Sequence, residues 1–115
     1  MRKVAPDIYG GAFRDNPAAI DRHAESMGGP VGLGYFYQLL AMVGWTSLPW
    51  LRNIKQPTLI LMGRDDPLVP LANGRLMARL IPRAELEILD DGHLFIVTRP
   101  EETARRIEEF LERAA

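Results

Sequence analysis

The chain has no cysteine, which excludes disulfides and thiolate chemistry. No apolar run approaches the roughly 20 residues that a membrane-spanning helix needs. Neither charge dominates: 14 Lys and Arg stand against 15 Asp and Glu, for a formal net charge of -1. No basic field is therefore available to hold a nucleic acid. No glycine-rich loop opens a helix after a strand, so no nucleotide cofactor is expected. A leader's apolar region is missing too, because Arg2 and Lys3 are followed by Pro6, Asp7 and the Gly10-Gly11 pair. Without a leader or disulfides, the cytoplasm is the expected compartment.

What is present fits a soluble globular chain of one small domain at most: 115 residues, 47% apolar and 25% charged. It divides near Ile54. Before that point lie most of the glycines and most of the aromatics. Residues 1–14 read as an irregular start with a turn at Tyr9-Gly10-Gly11. Asn16 is placed to cap a helix opened by Pro17, with Ile20, Ala24 and Met27 at helical spacing, and Gly28-Gly29-Pro30 stops it. Leu33 to Val43 is apolar nearly all round, so that helix is expected to be buried on several sides or to form a pocket wall. Gly44 ends it, and Trp45 to Trp50 is an aromatic-rich connector.

After Ile54 the signals alternate. Thr58 to Met62 is a continuous apolar run between Pro57 and Gly63, as in a strand of a parallel sheet covered on both faces. Leu76, Met77, Leu80 and Ile81 line one face of a helix that ends before Pro82. Glu85 to Leu89 alternates as a more exposed strand. Pro100 opens a last helix, with Glu101 and Glu102 in its first turn, Arg113 in its last, and Ile107, Phe110 and Leu111 as its apolar stripe. The order β-α-β-α predicts two parallel strands joined by a right-handed crossover.

The carboxyl ends of parallel strands share one sheet edge, where open α/β sheets build their sites. Asp65 and Asp66 follow the first strand; Asp90, Asp91 and His93 follow the second. The topology thus makes distant residues neighbours. A carboxylate beside an imidazole fixes its tautomer and stabilises the imidazolium formed when it takes a proton. Each motif also has a plainer use: Asp65-Asp66-Pro67 starts a turn and caps a helix, and Asp91-Gly92 is a turn signal. His23 reads as a surface residue. The four aspartates and His93 together are also candidates to ligate a divalent cation.

On these motifs the chain resembles the α/β-hydrolase family. The resemblance covers Ile54 to Ala115: the strand with its G-x-x-D-P-x-V-P turn from Gly63 to Pro70, the next strand, Asp91-Gly92-His93 and the closing helix. It implies an α/β fold, here incomplete: a C-terminal β-α-β-α unit over 54–115, with residues 1–53 as a helical cap-like segment. It implies Asp66 rather than Asp65 as catalytic acid, and His93 as base. Ala5 to Gly11, Gly34-Tyr35, Gly44 to Ser47 and Asp90 to Phe95 resemble intracellular poly(3-hydroxyalkanoate) depolymerases, which are serine hydrolases. That narrower resemblance implies a small ester or polyester substrate, no cofactor and no metal. Tyr35 and Trp45 are then candidates for substrate binding, in an apolar pocket shared with Phe36, Tyr37 and Trp50.

The family's nucleophile sits in G-x-S-x-G, on a sharp turn from strand to helix. The chain has two serines and no such motif. Ser47 has no flanking glycines. Ser26, in Ala24-Glu25-Ser26-Met27-Gly28, follows a polar helical stretch rather than a buried strand. The expectation is an acid and a base without a nucleophile, inactive alone. The Thr58–Met62 strand is also expected to have a bare edge and to pair with another copy. A non-catalytic, self-associating module is the competing reading.

Overall fold

The computed structural model describes residues 10–16, 18, 21–22 and 33–115. The apolar run after Pro57 forms strand β1, Thr58–Gly63. Helix α3, Leu71–Leu80, follows. Ile81, which precedes Pro82, has an extended backbone that stops this helix. Strand β2, Ala84–Leu89, returns beside β1. The pair is parallel, in register from Thr58 opposite Ala84 to Gly63 opposite Leu89. Both strands therefore end at one edge. Amide pairing runs past them: Arg64 N–H donates to Leu89 O at 2.8 Å and Asp65 N–H to Asp91 O at 3.0 Å.

The two faces of this sheet are held differently. Ile60 and Met62 are buried with Leu51 and Ile81, and α3 residues Leu71, Met77, Ala78 and Leu80 pack against them. Alternation sends Glu85 and Glu87 of β2 to the other face. There helix α5, Pro100–Ala114, meets them with Arg113 and Arg106, at 2.8 Å and 2.6 Å. Phe110 of α5 is buried, but Leu111 of the expected stripe is exposed. Among the described residues the sheet has two strands, so the side of β1 away from β2 carries no strand there.

Upstream of Ile54 the structure departs from expectation in three places. Gly11–Arg14 is one helical turn, α1, rather than an irregular start. The connector contains a 3-10 helix, Leu48–Asn53, which brings Leu51 into the core. Helix α2, Leu33–Met42, forms where the apolar run predicts it, but none of its residues is buried. Tyr35 is 52% exposed, and Phe36, Leu40 and Met42 are exposed further still. Apolar character favours burial only where a facing surface exists. Among the described residues, the surface that would cover α2 is not present. Residues 18, 21 and 22 are helical; Tyr9, Pro17, Ile20, His23, Ala24, Ser26 and Met27 lie outside the described residues. No helix among the described residues is long and apolar enough to cross a membrane.

Candidate active site

Gly63 ends β1 against the loop that leaves β2. A side chain there would run into the carbonyl groups of Asp91 and Gly92, so glycine permits the two loops to touch. Asp66 then opens the turn at Pro67. Its Oδ1 accepts from the backbone N–H groups of Leu68 and Val69, each at 2.9 Å. This is the turn-forming use of Asp before Pro. Its other oxygen, Oδ2, lies 2.8 Å from His93 Nδ1. One oxygen of this aspartate therefore makes the turn and the other faces the imidazole.

His93 stands just before a short helical turn, α4, Phe95–Thr98, which the sequence reading did not foresee. The Asp66 side chain is 4% exposed and that of His93 35%. A carboxylate only accepts hydrogen bonds, so Nδ1 is the protonated nitrogen in this contact and Nε2 carries the lone pair of the neutral ring. The arrangement can move a proton at Nε2 while the carboxylate stabilises the resulting charge.

The other acidic candidates do not gather around this pair. Asp65 is exposed. Asp90 is turned to the surface, where its carboxylate meets Arg64 Nε at 2.9 Å. Asp91 is 2% exposed and turned inward. Among the described residues no three His, Cys, Asp or Glu side chains are grouped to hold a metal ion. The strand ends send these four carboxylates in different directions.

Tyr35 on α2 and Trp45 after it are exposed, Trp45 at 71%, and neither hydrogen-bonds Asp66. A groove of about 390 Å³ lies between the 3-10 helix and α3, lined by Leu48, Pro49, Arg52, Leu76 and Leu80. It uses neither aromatic and lies apart from Asp66 and His93.

Sequence reasoning missed the part played by Asp91, which it took for a turn former. Its Oδ1 accepts from Ala12 N–H and Gly92 N–H, both at 2.7 Å. Its Oδ2 accepts from the Thr98 hydroxyl at 2.6 Å and Arg99 Nε at 3.2 Å. Burial alone would raise the pKa of this carboxyl, but the bonds from Thr98, Ala12, Gly92 and Arg99 outweigh it and hold the pKa below the usual value. The available signal was the tandem Gly10-Gly11. Gly11 has φ +52° and sits where a side chain would overlap the Gly92 amide and the Asp91 carboxylate.

Comparison with known proteins agrees with this architecture. A profile of the alpha/beta hydrolase fold matches residues 32–100. A poly(3-hydroxyalkanoate) depolymerase of Ectopseudomonas oleovorans is 52% identical over 110 residues, 96% of this chain and 39% of that protein. A pimeloyl-[acyl-carrier protein] methyl ester esterase of Aromatoleum aromaticum is 36% identical over 70% of this chain and 32% of its own length. The crystal structure of a membrane phospholipase A, a bacterial virulence factor, superposes with a TM-score of 0.78 at 25% identity, covering 98% of this chain and 37% of that one. The chain thus spans between 32% and 39% of the length of these three proteins. With the family profile matching well over half of its residues, the chain belongs to the alpha/beta hydrolase fold family.

Proposed function

We propose that this chain supplies the acid and the base of a serine-type ester hydrolase whose substrate is a polyester of the poly(3-hydroxyalkanoate) kind. The observation that carries this reading is the 2.8 Å contact between His93 Nδ1 and Asp66 Oδ2, on a carboxylate whose other oxygen is held by two backbone N–H groups. Asp66 keeps the proton on Nδ1. Nε2 takes the proton of an attacking hydroxyl, the ester carbonyl becomes tetrahedral, and the imidazolium returns that proton to the leaving alkoxide. Water then repeats the sequence on the acyl-enzyme. The 52% identity to a depolymerase supports the substrate class. Tyr35 and Trp45 are the proposed acyl contacts.

The nucleophile is proposed to lie outside this chain. Ser47 opens a 3-10 helix and makes no side-chain capping bond, unlike an elbow serine between strand and helix. The chain alone is then expected to turn over no p-nitrophenyl ester. The decisive experiment replaces the matching segment of the E. oleovorans depolymerase with this chain. The chimera should hydrolyse polyester, and His93→Ala should lower kcat by about 10²–10⁴. A chimera that stays fully active without His93 sinks the proposal.

Two observations favour the second reading, self-association. The Thr58–Met62 edge of β1 carries no strand among the described residues, and α2 is exposed and apolar. Sedimentation of the chain over a wide concentration range tests it, and a monomer throughout sets it aside.

A further inference from the structure

The loop that carries His93 is short. It leaves β2 at Leu89 and enters α4 at Phe95. Within it Asp91 is the anchored residue, with its side chain 1% exposed. Its four donors come from separate places: Ala12 on α1, Gly92 in the loop itself, Thr98 at the end of α4, and Arg99 beyond it. A hydroxyl has one proton. Thr98 Oγ1 lies 2.6 Å from the Asp91 carboxylate and 3.1 Å from Leu94 O, so the shorter, charged partner takes it.

This constellation suits a carboxylate and not an amide. Both oxygens face only donors. An asparagine supplies one oxygen, so its NH2 group would face either the two backbone N–H groups or Arg99 Nε–H. The anchoring extends through Arg99, which meets Glu102 at 3.3 Å. Glu102 meets Arg106 at 2.8 Å, and Arg106 meets Glu87 of β2 at 2.6 Å. A line of alternating charges thus ties the His93 loop to α5 and back to the sheet.

We propose that Asp91 is a positioning residue for His93: its buried carboxylate clamps the 91–94 loop between Ala12, Thr98 and Arg99, and so sets where the imidazole meets Asp66. The proposal rests on reading His93 and Asp66 as base and acid. It predicts that loosening the clamp frees the imidazole from its fixed tautomer, even though Asp91 itself makes no contact with the ring's Nδ1.

The test is ring-nitrogen NMR of the full chain labelled with 15N-histidine, followed across pH, with thermal unfolding measured on each variant. His93 is assigned by the signal lost in His93→Gln. In the unaltered chain the neutral ring should be protonated at Nδ1. Asp91→Asn should shift the ring toward the Nε2-protonated form, read as a change in the two ring-nitrogen signals. Thr98→Ala keeps the Asp91 charge and should shift the ring in the same direction by less, so that simple charge loss is separated from positioning. Thr98→Ser should restore the parent behaviour. If the variants lower the unfolding temperature but leave the His93 tautomer as in the parent, Asp91 serves the fold alone and the proposal is wrong. Should Asp91→Asn fail to fold, Thr98→Ala decides by the same criterion. Asp66→Asn is the separate control. If that change leaves the His93 ring as in the parent, the acid-base reading falls and takes the proposal with it; if it alters the ring while Asp91 and Thr98 variants do not, only the proposal falls.

Discussion

Asp66 and Asp91 stand just beyond the ends of two neighbouring parallel strands, and both carboxylates are nearly buried. Asp66 divides its oxygens: one holds a turn, the other faces the imidazole. Asp91 gives both oxygens to the framework. The difference lies in the identity of the donors. Backbone amides, a hydroxyl and a guanidinium surround Asp91 and satisfy it completely. Asp66 has amides on one side only, and its second oxygen is satisfied by a group that can itself gain a proton. Two like residues at one edge thus differ in what the fold brings to each: one is closed within the framework and the other faces an imidazole.

The largest expected effect comes from emptying the structural member of the pair. Asp91→Ala leaves the buried Gly92 amide and the more exposed Ala12 amide without an acceptor. It should cost about 3 kcal/mol in urea unfolding, the scale of leaving a buried polar group unsatisfied. A loss no larger than that of Asp66→Ala would erase the distinction between the two aspartates.

Gly11→Ala attacks the same clamp from the backbone side. It forces a left-handed conformation on a residue with a Cβ and drives that Cβ into the Gly92 amide. About 2–3 kcal/mol should be lost. Recovery of parent stability in this variant would mean that α1 does not pack on the loop.

Acid provides a probe without mutation. The Asp91 pKa is held below the usual carboxylate value in the folded chain. Its contribution is therefore complete above the unfolded value, near about 4. It is lost as pH falls through the lower folded value. The urea midpoint should drop on acidification below about pH 4, and Asp91→Asn should flatten that part of the profile. An unchanged slope in the variant would remove Asp91 as its source.

Asp66→Ala should be milder, about 1–2 kcal/mol, the scale of losing a capping aspartate with its backbone N–H bonds. Arg105→Ala sharpens the contrast from outside. Its bond to Glu109 joins two exposed side chains within one helix. Such pairs contribute little, and the unfolding midpoint should stay within measurement error.

Much of this was legible beforehand where the signal is local. The run from Thr58 to Met62, Pro82 after a helix and Pro100 before one are read from neighbouring residues, and the elements stand within a residue or two of their expected limits. The closeness of Asp66 and His93 followed from topology, since parallel strands end together. The exposure of α2 was not legible, because an apolar sequence states a preference and not the surface that meets it.

The sequence by itself determined the element order, the parallel pairing, and which residues lie at the common strand edge. These depend on periodicity, proline and chain connectivity, all of which are local. The local turn holds one oxygen of Asp66, but tertiary structure decided that Asp90 turns outward and Asp91 inward at that edge. Asp66 and Asp91 differ in partners drawn from far along the chain, Ala12 above all, 79 positions from Asp91. No pattern within the Asp91 loop encodes Ala12 as a partner. Packing the N-terminal glycines against the strand ends completes the set of donors around Asp91, whereas Asp66 is held by its own turn and faces His93.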